Sequence, residues 1–222
     1  TDHLKVDIDS NDKPFDFLMA AKSYTIACWV KVSNFKNSVI WMQHAGSTSN
    51  SRVGLVLNSG GHVAHTVWNG SYYVSVRNTN ALQLNTWYRI VCTNSGTTGS
   101  NNDNETLKMY VNGVKEIEND ADAYSSAFSG TNTDFVIGAK SDIPIAYHFQ
   151  GCLSDFQGWD KVWTAADAEY DYLNPEQLAL NRDTNPVTGI GTQLTESNLK
   201  LWYPMNDGHR GKQDYILDAS NT

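Results

Sequence analysis

Asn112-Gly113 separates two short runs of alternating character, Thr106 to Val111 and Val114 to Ile117. No other stretch constrains the fold as strongly. A two-residue type I′ turn needs positive φ at both central positions, and Asn and Gly accept it best. On the first arm Leu107, Met109 and Val111 share one face, while Lys108 and Tyr110 share the other. That pattern predicts an antiparallel strand buried on one face and wetted on the other.

The same signature recurs along the chain. Tyr24 to Val32 reads as a long strand, with Tyr24, Ile26, Cys28 and Val30 facing a core. Val39 to His44 follows, with Ile40 and Met42 on one face and Trp41 and Gln43 on the other. Val53 to Leu57 is a strand, and His62 to Trp68 with Tyr72 to Arg77 reads as a hairpin around Asn69-Gly70. Trp87 to Thr93, Phe135 to Gly138 and Cys152 to Trp159 complete the set. The expected fold class is all-β: an antiparallel two-sheet sandwich with one short helix near residues 164–173. Thr164 is the N-cap of that helix, Asp167 completes a capping box, and Asn174-Pro175 ends it.

Residues 1–182 read as one sandwich domain, 183–197 as a Pro/Gly/Thr linker, and 198–222 as a further segment. In that segment Leu199, Leu201 and Tyr203 share one face of an alternating run. Leaving that face bare would expose an apolar patch, so the segment is expected to pack on the sandwich. Thr1 without an initiator Met reads as a fragment or a processed form. No basic stretch leads into an apolar one, so no signal peptide is visible.

Charge narrows the partners. The net charge is −8 and charged residues make up only 18% of the chain. That disfavours nucleic acid and anionic membrane surfaces, and no apolar run is long enough to span a bilayer. Cys28, Cys92 and Cys152 lie in apolar strand contexts and read as buried free thiols, with one disulfide left open.

Four stretches taken in order carry a family resemblance. They are Tyr24-Thr25-Ile26-Ala27-Cys28-Trp29-Val30-Lys31; Asn85-Thr86-Trp87-Tyr88-Arg89-Ile90-Val91-Cys92; Leu107-Lys108-Met109-Tyr110-Val111-Asn112-Gly113; and Val136-Ile137-Gly138 with Phe149 to Phe156, Trp163-Thr164 and Glu169-Tyr170. Together they resemble the concanavalin A-like lectin/glucanase superfamily, in particular its laminin G-like and pentraxin-like jelly rolls. The segment Leu201 to Gly208 with Leu217 to Ser220 resembles the strand and turn that open such a module. Jelly rolls of this kind recur in structural proteins of tailed phages, so the resemblance implies a virion or extracellular location. It also implies other virion or surface proteins as partners.

Catalysis is not expected. The glucanase relatives carry Glu-x-Asp-x-x-Glu on a strand, and retaining glycosidases need two converging carboxyls. The nearest match here is Glu169-Tyr170-Asp171-Tyr172-Leu173-Asn174, which lacks the last acid and reads as an exposed helix. Glu116-Ile117-Glu118 lacks a third acid. His62 and His65 point to opposite faces of a strand and cannot share an ion. Asp7, Asp9 and Asp12, or Asn101 to Glu105, offer oxygen ligands for calcium, but neither has EF-hand spacing and turn chemistry explains both. No cofactor is expected.

The expectation is a non-catalytic module that binds glycans or another surface ligand. A purely structural or adhesion module of a virion assembly is the alternative, and a glycoside hydrolase is disfavoured. Sugar sites combine aromatic platforms with amides and hydroxyls. The candidate ligand-binding residues are Trp29, Trp41, Gln43, Trp68, Tyr73 and Arg77.

Overall fold

A computed structural model describes residues 3–6, 23–44, 51–69, 73–95, 107–116, 118–121, 135–140, 147–180 and 194–205. Its strands are β1 (Leu4–Val6), β2 (Tyr24–Val32), β3 (Ser38–His44), β4 (Ser51–Leu57), β5 (Val63–Asn69), β6 (Tyr73–Arg77) and β7 (Trp87–Asn94). After them come β8 (Leu107–Val111), β9 (Val114–Lys115), β10 (Glu118–Ala121), β11 (Phe135–Ile137), β12 (Gly151–Trp159) and β13 (Leu199–Tyr203). A single helix, α1 (Ala165–Leu173), lies among the described residues.

The strands form two antiparallel sheets. The seven-stranded sheet runs β1-β11-β3-β4-β5-β6-β10 and the six-stranded sheet β13-β12-β2-β7-β8-β9. Together they make the two-sheet sandwich that the alternating runs predict, consistent with the jelly roll that the resemblance implies. Their inner faces share one core, which includes Tyr24, Ile26, Val30, Trp41, Leu55, Ile90, Met109, Phe135 and Phe156.

The Asn112-Gly113 turn forms as the sequence requires. Tyr110 pairs with Lys115 and Val111 with Val114, and φ is +51° at Asn112 and +79° at Gly113. One expectation for this hairpin fails. Tyr110 is 2% exposed, so the outer face of β8 is not wetted. A second apolar cluster covers that side of the six-stranded sheet. It joins Ala27, Val91, Tyr110 and Trp159 to Trp163, Ala168 and Ala179 from α1 and the chain flanking it.

Helix α1 starts where its capping residues place it. The Thr164 hydroxyl accepts from the Asp167 N–H at 3.3 Å, and Asp167 Oδ2 accepts from the Thr164 N–H at 2.8 Å. A cap of this kind contributes about 0.5–2 kcal/mol. The Asn174 N–H donates to the Tyr170 carbonyl and closes the last turn. The helix is not an exposed one, because Asp167, Ala168 and Asp171 are all buried.

Leu199–Tyr203 forms the edge of the six-stranded sheet against β12, with Leu199, Leu201 and Tyr203 buried. A short 3₁₀ turn, Glu196–Asn198, leads into it. Most of the linker read at 183–197, and the turn read at Leu217 to Ser220, lie outside the described residues. So do Asp7, Asp9, Asp12, the Asn101 to Glu105 run, and Ile117.

All three cysteines are free. Cys28 and Cys92 are buried as expected, but Cys152 is exposed on β12. It lies near the start of that strand, where the burial pattern opens with exposed residues.

Candidate functional site

The expected ligand-binding residues do not form one site. Trp41 and Gln43 point into the sandwich. Trp41 is 0% exposed, stacked against Phe135 with ring centroids 6.0 Å apart, and Gln43 is 2% exposed. The cause is a register shift on β3 between Val39 and Trp41. An extra residue there lets Ile40 and Trp41 both join the inner core, and every later residue changes face. Trp41 and Gln43 are therefore corrected from surface platforms to interior residues.

Trp29 lies on the opposite side of the molecule from the remaining candidates. It is half-buried on the outer face of β2, in a seam of about 470 Å³ with Ser154, Asp155, Gln157, Glu176, Gln177 and Trp202. Beneath it, Arg89 is fully buried, with its guanidinium carbon 6.0 Å from the Trp29 ring. Arg89 Nε and Nη2 donate to the two carboxylate oxygens of Asp171 at 2.6 and 2.9 Å. Its Nη1 donates to the Asp155 carbonyl at 2.8 Å and lies 3.1 Å from Asp155 Oδ2. Burial alone would lower the pKa of Arg89. Asp171 and Asp155 more than offset that and hold it above its ordinary value.

Other polar groups on the floor of the seam are engaged as well. Trp202 Nε1 donates to Asp155 Oδ1 at 2.7 Å, and Gln157 Nε2 donates to Asp155 Oδ2 at 2.8 Å. Gln157 Oε1 accepts from Trp159 Nε1. Asp155 sits at a second bulge, on β12, with φ +46°. Its strained backbone aims both its carbonyl and its carboxylate at Arg89. With its floor satisfied from within, the seam acts as the joint that fastens α1 to the sheet.

The outer face of the seven-stranded sheet is different. Directly paired residues of an antiparallel sheet share a face. Arg52 pairs with Trp68, Met42 with Gly54, and Val56 with Ala64. A groove of about 350 Å³ runs over β3, β4 and β5, lined by Ser38, Met42, Arg52, Thr66, Lys140 and Tyr147 among others. The Arg52 guanidinium lies over the Trp68 ring at 5.8 Å, and Lys140 Nζ over the Tyr147 ring at 5.6 Å. Ser38 is 4% exposed, yet its hydroxyl has no hydrogen-bond partner.

Tyr147 is 54% exposed and holds φ at +53°. A large non-glycine residue rarely adopts that conformation, which costs about 1–3 kcal/mol and tends to mark functional positions. The backbone there is pinned, since the Val39 N–H donates to the Tyr147 carbonyl at 2.9 Å. Trp68 is not in the groove lining itself and meets it only through Arg52. Arg77 is exposed on the same outer face, opposite Ala64, and the Tyr73 backbone pairs with Trp68. Tyr147, Arg52, Lys140 and Ser38 are absent from the sequence-based candidates. Among the described residues, no cluster of three or more His, Cys, Asp or Glu could hold a metal ion.

The comparisons agree with this architecture. A family model described as the concanavalin A-like lectin/glucanases superfamily matches residues 6–169. No curated protein matches the sequence. Among solved structures, a protein from Bacteroides ovatus to which carbohydrate binding is ascribed is similar at 19% identity and TM-score 0.61, over 99% of this chain. The alignment covers 54% of that protein, so this chain corresponds to about half of it. The CBM40 of the Ruminococcus gnavus IT-sialidase, solved bound to α2,3 sialyllactose, is similar at 16% identity and TM-score 0.57, over 77% of this chain and 96% of that one. A heptameric SAP-like pentraxin from Limulus polyphemus is similar at 19% identity and TM-score 0.52, over 77% and 75%.

Proposed function

This chain belongs to the concanavalin A-like lectin/glucanase superfamily, and from that premise we propose that it is a non-catalytic glycan-binding module using the groove on its seven-stranded sheet. The observation that carries the reading is Tyr147. An exposed aromatic ring is held at a strained backbone position beside a groove with polar and cationic walls. Sugars bind by laying an apolar ring face on an aromatic side chain while hydroxyls meet nearby polar groups. Tyr147 supplies the ring face. Asn37, Asn58 and Thr66 supply amides and a hydroxyl along the lining.

Two observations support the non-catalytic part. Among the described residues, the groove lining carries no carboxylate. The carboxylates of Asp155 and Asp171 converge among the described residues, but on Arg89 rather than across an open cleft, and Asp171 is 2% exposed. Glycosidase chemistry needs an acid and a second carboxylate flanking the bond to be cut. Cys28 is no nucleophile either, because burial pushes its thiol up to about 12.

A glycan array probed with the protein, with and without added calcium, tests the reading. Hits whose amide shifts in NMR titration map to Arg52, Thr66 and Tyr147 support it. An array without hits, or hits that map to the Trp29 seam, would sink it.

A further inference from the structure

Two histidines meet at the β1 edge of the seven-stranded sheet and take no part in the groove. The β1–β11 register sets Leu4 opposite Ile137, so the next step along the ladder brings His3 to Gly138. The Phe149 N–H donates to the Gly138 carbonyl at 2.8 Å, which brings His148 to the same residue. A bridge between His148 and Val39 fixes that backbone against β3. Segments far apart in sequence thus place two imidazoles side by side, with ring centroids 5.7 Å apart and planes inclined at 54°.

Packing alone would account for two neighbouring rings. It does not account for His148 Nδ1, which is buried and has no hydrogen-bond partner. A buried polar atom left in that state has nothing to repay its lost hydration. In the tautomer with the proton on Nε2, Nδ1 offers a bare lone pair, the form that ligates a metal. The spacing fits as well. A Zn–N bond of about 2.0–2.1 Å puts each ring centre roughly 3.2 Å from the ion, and two rings at a tetrahedral to trigonal angle then stand about 5.2–5.5 Å apart.

We propose that His3 and His148 share one divalent ion of the zinc, nickel or copper kind, with His148 Nδ1 and a ring nitrogen of His3 as its protein ligands. Imidazole suits these ions, whereas calcium takes oxygen. His3 is exposed, so water completes the shell on that side. The ion clips the three-residue edge strand β1 to the backbone that leads into β12. Because only the folded chain assembles the pair, bound ion stabilises the fold.

The test titrates zinc chloride into the full chain and into His3→Gln, His148→Gln and the double variant, followed by calorimetry and by the imidazole proton signals in NMR. His62→Gln controls for zinc taken up elsewhere. The expected result is saturable uptake that shifts the His3 and His148 signals together and survives excess calcium. Affinity at that site should fall at least tenfold in either single variant and stay unchanged in His62→Gln. Zinc should raise the thermal midpoint of the parent but not that of the double variant. No saturable binding up to millimolar zinc would mean that the rings merely pack. Binding that either single variant keeps would show that the two histidines do not share an ion. If His148→Gln fails to fold, His3→Gln still decides, because it changes an exposed residue and unaltered binding there overturns the pair.

Discussion

Arg89 and Asp171 form a bidentate ion pair with both side chains buried, linking β7 to α1 across 82 residues of sequence. Desolvating two charges is costly, and the pair repays that cost only while it is intact. Arg89→Met or Asp171→Leu strands the other charge, so each alone is expected to cost about 3–5 kcal/mol. The double variant should cost less than the sum, since it leaves only Asp155 without its cation, and that carboxylate keeps the Trp202 and Gln157 donors. Urea unfolding of the four proteins gives the coupling directly. Additive losses would mean that the pair does not act as a unit.

His65 predicts how stability depends on pH. It is fully buried between the sheets, with Nε2 3.0 Å from the Tyr24 hydroxyl and the Trp41 ring beside it. Burial pushes its pKa from 6.5 down to about 3. Below pH 6.5 the unfolded chain binds a proton that the folded protein refuses until about pH 3. Stability therefore falls as pH falls through that window, by about 1.4 kcal/mol per unit from this one group. In His65→Gln that part of the slope should vanish, whatever the variant's stability at neutral pH. Denaturant midpoints measured from pH 7 to pH 4 decide it, and identical slopes for the two proteins would remove His65 as the cause.

Gly113 answers two demands at once. Its φ is +79°, and a Cβ added there would stand 2.9 Å from the Glu169 Cα of α1. Gly113→Ala is therefore expected to cost about 1–3 kcal/mol, more than turn strain alone, because the helix must give way. For a chain of this size that lowers the melting temperature by about 2–4 °C per kcal/mol. A melting temperature equal to the parent's would show that the hairpin and helix are not in firm contact.

The same turn shows what the sequence reveals and where it stops. Strand positions follow from period-two alternation and turn residues, and β2, β7, β8 and β12 fall where those signals put them. Faces are harder to read, because alternation assumes an unbroken ladder. One bulge at Ile40 turned Trp41 and Gln43 inward, and another at Asp155 set its backbone against Arg89. Neither bulge has a glycine or a proline to announce it. Tyr110 and Asp171 depart from the sequence pattern for another reason: α1 covers an outer sheet face, and only the fold reveals which face a helix covers. Arg52 and Lys140 are ordinary in sequence, and gain interest only when β4 and the chain after β11 bring them to one groove.

Tyr147 carries the last prediction, because its strain and its proposed role can be separated. The backbone at φ +53° is held by the hydrogen bond from Val39, which glycine keeps. Tyr147→Gly relieves the steric cost of that conformation but makes the unfolded chain more flexible. The two effects nearly cancel, so stability should stay within about 1 kcal/mol of the parent or rise. Glycan affinity, in contrast, should fall at least tenfold, since the ring that receives the sugar is gone. Tyr147→Phe keeps the ring and should bind within a few-fold of the parent. A glycine variant that is markedly less stable would mean the ring is a packing element. One that binds as tightly as the parent would remove Tyr147 from the site, and with it the observation on which the glycan-binding reading rests.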